Sequence, residues 1–224
     1  MKKIIIFLIS VSLYSQINNI TNTSGTHERN STWSPNGEWI AYISDKTGTE
    51  EVWLMKPDGT SKTQITQTKN IDTGAYRYEL LWSPNSKFLL NADNKRNLNL
   101  IDIFDKTEKT IFHSKTFPPR DFTWANDNNW IAYTDQNPQG FKIIFLYSIK
   151  NNKTYQVTSE FYNSENPVFS KDSKYLFFVS NRNFNAKINT MEWNHAYLEM
   201  QKIYGICLQN DEPNPFKNFI DYNK

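Results

Sequence analysis

Trp33-Ser34-Pro35-Asn36-Gly37-Glu38-Trp39-Ile40-Ala41-Tyr42 is a phrase that the chain repeats. It returns as Trp82-Ser83-Pro84-Asn85-Ser86-Lys87-Phe88-Leu89-Leu90-Asn91 and as Trp124-Ala125-Asn126-Asp127-Asn128-Asn129-Trp130-Ile131-Ala132-Tyr133. A fourth copy is Phe169-Ser170-Lys171-Asp172-Ser173-Lys174-Tyr175-Leu176-Phe177-Phe178. The lead aromatics Trp33, Trp82, Trp124 and Phe169 stand 49, 42 and 45 residues apart. Several short strands repeating every ~40–50 residues are the mark of a β-propeller.

Each copy reads as a strand, a tight turn and a second strand. Pro35 and Pro84 preset φ for the turn, and Asn, Asp, Gly or Ser bend the chain after them. The short apolar runs that follow are rich in aromatic and branched residues and too brief for helices. Polar turns come next, at 44–49, 93–97, 135–140 and 181–183. Third strands are expected at 51–55, 98–103, 143–149 and 202–208. Fourth strands are expected at 64–66, 110–112 and 156–158, and the last unit has no clear one. The fold class is therefore all-β: a propeller-type array of four four-stranded antiparallel blades, at about 28–70, 76–113, 118–159 and 163–209. The four lead aromatics are read as wedges between blades, because a large ring stabilises such a seam by burying 150–250 Å².

Four blades, the last incomplete, leave strand edges that propellers normally protect by closing the ring. Residues 22–32 could supply the missing outer strand, but they are polar and weak as a strand, so an open arc is the favoured reading.

At both ends the chain departs from the repeat. Met1-Lys2-Lys3, an apolar run over 4–14 and Ser15 before Gln16 read as a signal peptide over 1–15. The run is too short to cross a bilayer as a helix. An uncleaved anchor and a cytosolic strand are the alternatives. Export to the periplasm or outside the cell is expected, with no stable membrane span after cleavage. Residues 16–27 read as a flexible lead-in and 210–224 as a tail. In the last unit Trp193, Tyr197, Met200 and Tyr204 recur at helical spacing, which predicts a short helix near 191–201.

Bulk properties exclude several functions. A net charge of +2 falls to zero when Lys2 and Lys3 are removed, so no nucleic acid is expected as a partner. The single cysteine, Cys207, permits no internal disulfide and reads as a buried strand residue. No Gly-x-Ser-x-Gly elbow, P-loop, dinucleotide or His-Glu-x-x-His motif occurs, so neither cofactor nor catalytic residue is assigned. His195 and Glu199 stand four apart but lack a third ligand, so no metal site is read. The acidic residues, Asp135 among them, sit where turn chemistry explains them. Of the arginines 77, 96, 120 and 182, Arg77, Arg96 and Arg182 are the binding candidates. Arg96 and Arg182 fall in turns between second and third strands. Arg77 falls in the longest connection between blades. Arginine at a blade mouth can take a peptide carboxylate in a bidentate bond; tying one blade to the next is the competing role.

The unit 33–44 with 52–66 resembles the repeat of TolB-type propellers. The stretches 165–185 and 192–216 resemble more narrowly the propeller end of tricorn-type serine proteases. In that family the propeller precedes a PDZ module and a Ser/His protease core, and is thought to filter or guide peptides. The resemblance implies six or more blades and a protease region, whereas this chain offers four blades and stops at Lys224. The reading that follows is an exported, non-catalytic propeller that binds a peptide or protein, a separate protease region or a second copy of itself. A fragment of a tricorn-like protease and a propeller-based lyase or hydrolase are the alternatives.

Overall fold

The structure is a computed structural model, and it describes residues 19–68, 74–182, 186–188, 195–197 and 201–209. The signal-like segment 1–15 and the tail 210–224 lie outside the described residues. Blade 1 holds β1 (Glu28–Trp33), β2 (Ile40–Ser44), β3 (Glu51–Met55) and β4 (Thr63–Gln64). Blade 2 holds β5 (Arg77–Trp82), β6 (Phe88–Asp93), β7 (Asn97–Asp102) and β8 (Thr107–His113). Blade 3 holds β9 (Arg120–Trp124), β10 (Trp130–Gln136), β11 (Lys142–Ser148) and β12 (Lys153–Gln156). Blade 4 holds β13 (Ser164–Phe169), β14 (Tyr175–Ser180) and β17 (Lys202–Cys207); β15 (Ala186–Ile188) and β16 (His195–Tyr197) form a separate ribbon between them. Every blade is an antiparallel meander in chain order.

The repeated turn builds itself from its own side chains. Ser34 Oγ takes the N–H of Trp39 at 2.9 Å, and Asn36 Oδ1 takes the N–H of Glu38 at 3.1 Å. Ser83 and Asn85 make the same two bonds to Phe88 and Lys87, as do Ser170 and Asp172 to Tyr175 and Lys174. A left-handed residue completes each turn: Gly37, Ser86, Asn128 and Ser173. These turns also stitch the blades together. The N–H groups of Asn36, Asn85 and Asp127 donate to Ser86 Oγ, Asn128 Oδ1 and Ser173 Oγ of the following blade, at 3.1, 2.9 and 3.3 Å.

Period-2 alternation sends one face of each blade toward the preceding blade and the other toward the next. Ala41, Ile43, Val52 and Leu54 of blade 1 thus meet Trp82, Leu89 and Ile101 of blade 2. Trp124, Ile131 and Tyr133 fill the seam between blades 2 and 3, and Phe169, Leu176 and Phe178 that between blades 3 and 4. Trp33 occupies the same place in blade 1 but has no described blade before it, and it is 58% exposed against 5% for Trp82. Gly59, in the β3–β4 turn, has φ +82°, and a Cβ there would stand 2.6 Å from the carbonyl oxygen of Ile20. Residues 19–27, read as a lead-in, therefore run against blade 1, where Lys62 Nζ also donates to the Thr21 carbonyl at 2.5 Å.

Two expectations need correction. Within the helix expected near 191–201, the described residues 195–197 form strand β16 instead, paired with β15, Ala186 opposite Tyr197 and Ile188 opposite His195. Ladder pairing with β15 outweighs the marginal stability of so short a helix. Asp135, read as a turn residue, lies inside β10 opposite Ile143. As for closure, β1 is the innermost strand of blade 1, paired with β2, and not the outer strand of blade 4. Among the described residues the array is an open arc.

Candidate functional site

The first strands of all four blades break register at one place. Pairing slips between Arg29 and Thr32, Arg77 and Leu80, Arg120 and Thr123, and Glu165 and Val168. Such bulges re-aim side chains and are frequent beside functional sites. Three residues before the lead aromatic stand Asn30, Glu79, Asp121 and Asn166, all exposed. Asn30, Asp121 and Asn166 have φ of +53°, +51° and +54°, a conformation Asn and Asp tolerate best among residues with a side chain. One position earlier stand Arg29, Tyr78, Arg120 and Glu165. The bulges thus present a column of polar groups on the inner-strand face.

Two of the five charged residues in this column, Arg29 and Glu165, are already engaged. Arg29 donates to Glu50 at 3.1 and 2.5 Å and to the Arg77 carbonyl, and stacks over the Tyr76 ring at 4.0 Å. Glu165 is paired with Lys142. Arg120 differs. It is exposed, its guanidinium lies 5.6 Å from the centre of the Tyr78 ring, and among the described residues it makes no hydrogen bond or ion pair. Two cavities meet at it. One of about 380 Å³ is lined by Asn30, Tyr78, Glu79, Pro119, Arg120 and Phe122. The other, about 310 Å³, is lined by Phe117, Arg120, Asp121, Asp135 and Lys142. Asp135 is half-buried there. Burial pushes its carboxyl above the usual range although Ser114 Oγ donates to it at 2.5 Å.

The predicted candidates fall elsewhere. Arg77 lies in β5, not in the loop before it, and its guanidinium is buried. Nε donates to the Glu50 carbonyl at 3.1 Å, Nη1 to Asn91 and Glu108 at 3.2 and 2.5 Å, and Nη2 to Glu51 and Glu108 at 3.2 and 3.1 Å. A guanidinium has five N–H donors, and each has an acceptor here. Arg77 locks blade 1 to blade 2 and has no donor left for a ligand, although it is among the residues lining a cavity of about 740 Å³ between the outer strands of those blades. Burial opposes its charge, but hydrogen bonding and attraction from Glu108, with Glu51, hold its pKa above the ordinary value. Burial likewise works against the charge of Glu51. Hydrogen bonds from Thr66 and Thr68, with the charge of Arg77, outweigh it and keep that carboxyl below the usual range. Arg96 donates to the Lys115 carbonyl at 2.8 Å from a turn with φ +70°. Arg182 sits among the rings of Tyr204, Phe178 and Tyr162 at 5.0, 5.5 and 5.9 Å. The structure does not bring Arg77, Arg96 and Arg182 into one site. Arg120 is the candidate that the sequence ranking passed over. Its place four residues before a lead aromatic was the available signal.

Cys207 is half-buried in β17. Among the described residues no group of three or more His, Cys, Asp or Glu side chains is placed to hold a metal ion.

Known proteins share this sequence pattern and fold. The family model for the tricorn protease second beta propeller domain covers residues 7–224. The chain belongs to the tricorn protease second β-propeller family. It is 27% identical to the tricorn protease of Thermoplasma volcanium over 79% of its own length and 17% of that protein's. It is also 27% identical to the uncharacterized peptidase YuxL of Bacillus subtilis, over 72% of its length and 24% of the relative's. It thus spans about a fifth of the length of these relatives, and the part of tricorn-like proteases that it matches is the propeller. The crystal structure of the tricorn protease superposes with a TM-score of 0.72 at 20% identity, over 80% of this chain and 18% of that one. TolB from Acinetobacter baumannii does so with a TM-score of 0.52 at 18% identity, over 68% and 37%. At such identities these structures attest the fold alone.

Proposed function

We propose that this tricorn-family propeller is a non-catalytic module that binds a peptide segment at the inner-strand face, with Arg120 as its anchor. The observation that carries the reading is the exposed guanidinium of Arg120, without an acceptor among the described residues, where two cavities meet. A bidentate bond to a carboxylate is the interaction such a group makes best. Glu79, Asp121 and Asn30 beside it offer acceptors for the N–H groups of an extended chain. Phe117, Tyr78 and Phe122 offer apolar surface for side chains. This mix of one unpaired cation, several acceptors and aromatic rings suits a peptide better than a polyanion. No nucleophile held against a base was found in the sequence, which supports the non-catalytic part.

The test is a peptide library titrated against the purified chain and read by fluorescence anisotropy and mass spectrometry. Saturable binding without cleavage is expected. Cleavage that is lost on a point substitution in the chain would overturn the reading. Export with removal of 1–15 belongs to the same proposal, supported by the Lys2-Lys3 start and the apolar run. N-terminal sequencing of the protein from its own cell decides it, and an intact Met1 would count against it.

A second reading is favoured by the share of each relative that is matched: the propeller serves as one segment of a longer tricorn-like protease, without activity of its own. The mass of the native protein in its cell separates the two.

A further inference from the structure

The smaller cavity beside Arg120, about 310 Å³, holds more acid than its own cations use. Its charged lining is Arg120 and Lys142 against Asp121, Asp135 and Glu165. Lys142 is taken by Glu165. Asp121 is exposed, and among the described residues its carboxylate has no hydrogen bond or ion pair. Asp135 accepts from Ser114 Oγ at 2.5 Å and from the Gln136 backbone, but among the described residues no cation pairs with it, and burial leaves its carboxyl above the usual range.

Thr134 is an independent sign of a missing partner. It stands opposite Arg120 in the β9–β10 ladder, is 5% exposed and lines the same cavity. Its buried Oγ1 has no hydrogen-bond partner among the described residues. A buried hydroxyl left unpaired costs free energy that a ligand donor can recover. Phe117, 62% exposed, adds a ring to the lining. Open carboxylates, a hydroxyl and an aromatic face are the groups that a cationic side chain binds. The larger cavity on the other side of Arg120 differs. Arg29 in its wall is already paired with Glu50, and Tyr78, Pro119 and Phe122 make it more apolar.

The geometry points to a peptide with a basic C-terminal residue, arginine before lysine, as the ligand of this face. Arg120 takes the terminal carboxylate, the terminal side chain enters the smaller cavity toward Asp121, Asp135 and Thr134, and the preceding residues run along the larger one. The carboxylate and side chain of a terminal residue leave one Cα, so they need adjoining sites, and Arg120 lines both cavities. Arginine ranks first because its planar fork of donors matches carboxylates and stacks on rings. This assignment rests on the peptide reading at Arg120 and adds the specificity of that site.

The experiment is an anisotropy titration of one labelled peptide ending in Arg, Lys, Leu or Glu with a free carboxylate, and of the Arg form as its amide. The proteins are the unaltered chain, Asp121→Asn and Asp135→Asn. The Arg form should bind the unaltered chain roughly ten- to a hundredfold more tightly than the Leu form, with Lys between them and Glu weakest. Each variant should narrow the ratio of Arg to Leu. Asp121 has φ +51°, which Asn tolerates, so this variant decides should Asp135→Asn fail to fold. Equal binding of the Arg and Leu forms, with the free acid still preferred to the amide, would overturn the basic subsite and leave Arg120 as the anchor. A ratio of Arg to Leu unchanged in the variants would also overturn it. If the unaltered chain does not distinguish the free acid from the amide, the anchor falls and this assignment falls with it.

Discussion

Arg77 and Arg120 lie at corresponding ends of neighbouring first strands, yet they do opposite things. Arg77 stands five residues before its lead aromatic and is turned into the seam between blades 1 and 2, where every donor is used. Arg120 stands four before its aromatic and lines two cavities, one with residues of blades 1 and 2 and one with residues of blade 4. One step along a strand moves a side chain to the other face. In a repeat protein, then, position relative to the repeat decides whether an arginine is buried as a fastener or left exposed at a cavity, and residue type alone does not.

The comparison breaks most easily at Arg77. Arg77→Ala would leave Glu51 and Glu108 without their cation, and breaking a buried pair from one side costs about 3–5 kcal/mol. The expected outcome in urea unfolding is a loss of that size, against a change within about 0.5 kcal/mol for Arg120→Ala, an exposed site. Equal effects would erase the distinction between the two residues.

The lead aromatics give the next contrast. Trp82→Ala should cost about 3–5 kcal/mol, the usual range for an aromatic truncated in a core. Trp33→Ala should cost a small fraction of that, since Trp33 is mostly exposed. Thermal melts of the two variants measured side by side will show whether the first blade is covered by something the described residues do not include.

Smaller effects are expected from pH, and they have opposite signs at the two seams. The Glu51 carboxyl is held below its usual value of 4.5. It therefore contributes stability that is present above that value and is lost as pH falls through the lower, folded value. Asp135 is pushed above its usual value of 3.8. It favours the folded state below that value and loses that contribution as pH rises through the raised, folded one. Glu51→Gln should flatten the acid limb of the stability profile, and Asp135→Asn should remove a decline on raising pH. Urea midpoints measured from acid to neutral pH check both. A Glu51→Gln profile as steep as that of the unaltered chain would remove Glu51 from the seam's electrostatics.

The blades were legible in the sequence because their turns are local. Ser34, Asn36 and Gly37 make a turn from bonds within a few residues, and Ser83, Asn85 and Ser86 repeat it, so the pattern survives without knowledge of the fold. The site was less legible because it depends on register. The bulge in each first strand decides which side chain reaches the inner face, and nothing near Arg120 announces a bulge except its place in the repeat. Arg77 drew attention through the long connection before it. The partners that occupy it, Glu51 and Glu108, lie 26 and 31 residues away along the chain. The stretch around 191–201 misleads for a similar reason. Its aromatic spacing suits a helix, but pairing with 186–188 is a contact that spacing does not encode.

The most direct test is a binding titration of one peptide in two forms, with a free C-terminal carboxylate and with an amide, against the unaltered chain and Arg120→Gln. A charged hydrogen bond contributes about 1.5–3 kcal/mol, so amidation should weaken binding to the unaltered chain by roughly ten- to a hundredfold. Arg120→Gln should bind both forms equally and weakly, with its unfolding midpoint unchanged. If Arg120→Gln still prefers the free carboxylate, or if the unaltered chain does not distinguish the two peptides, Arg120 is not the anchor and the division of labour between the two arginines is contradicted.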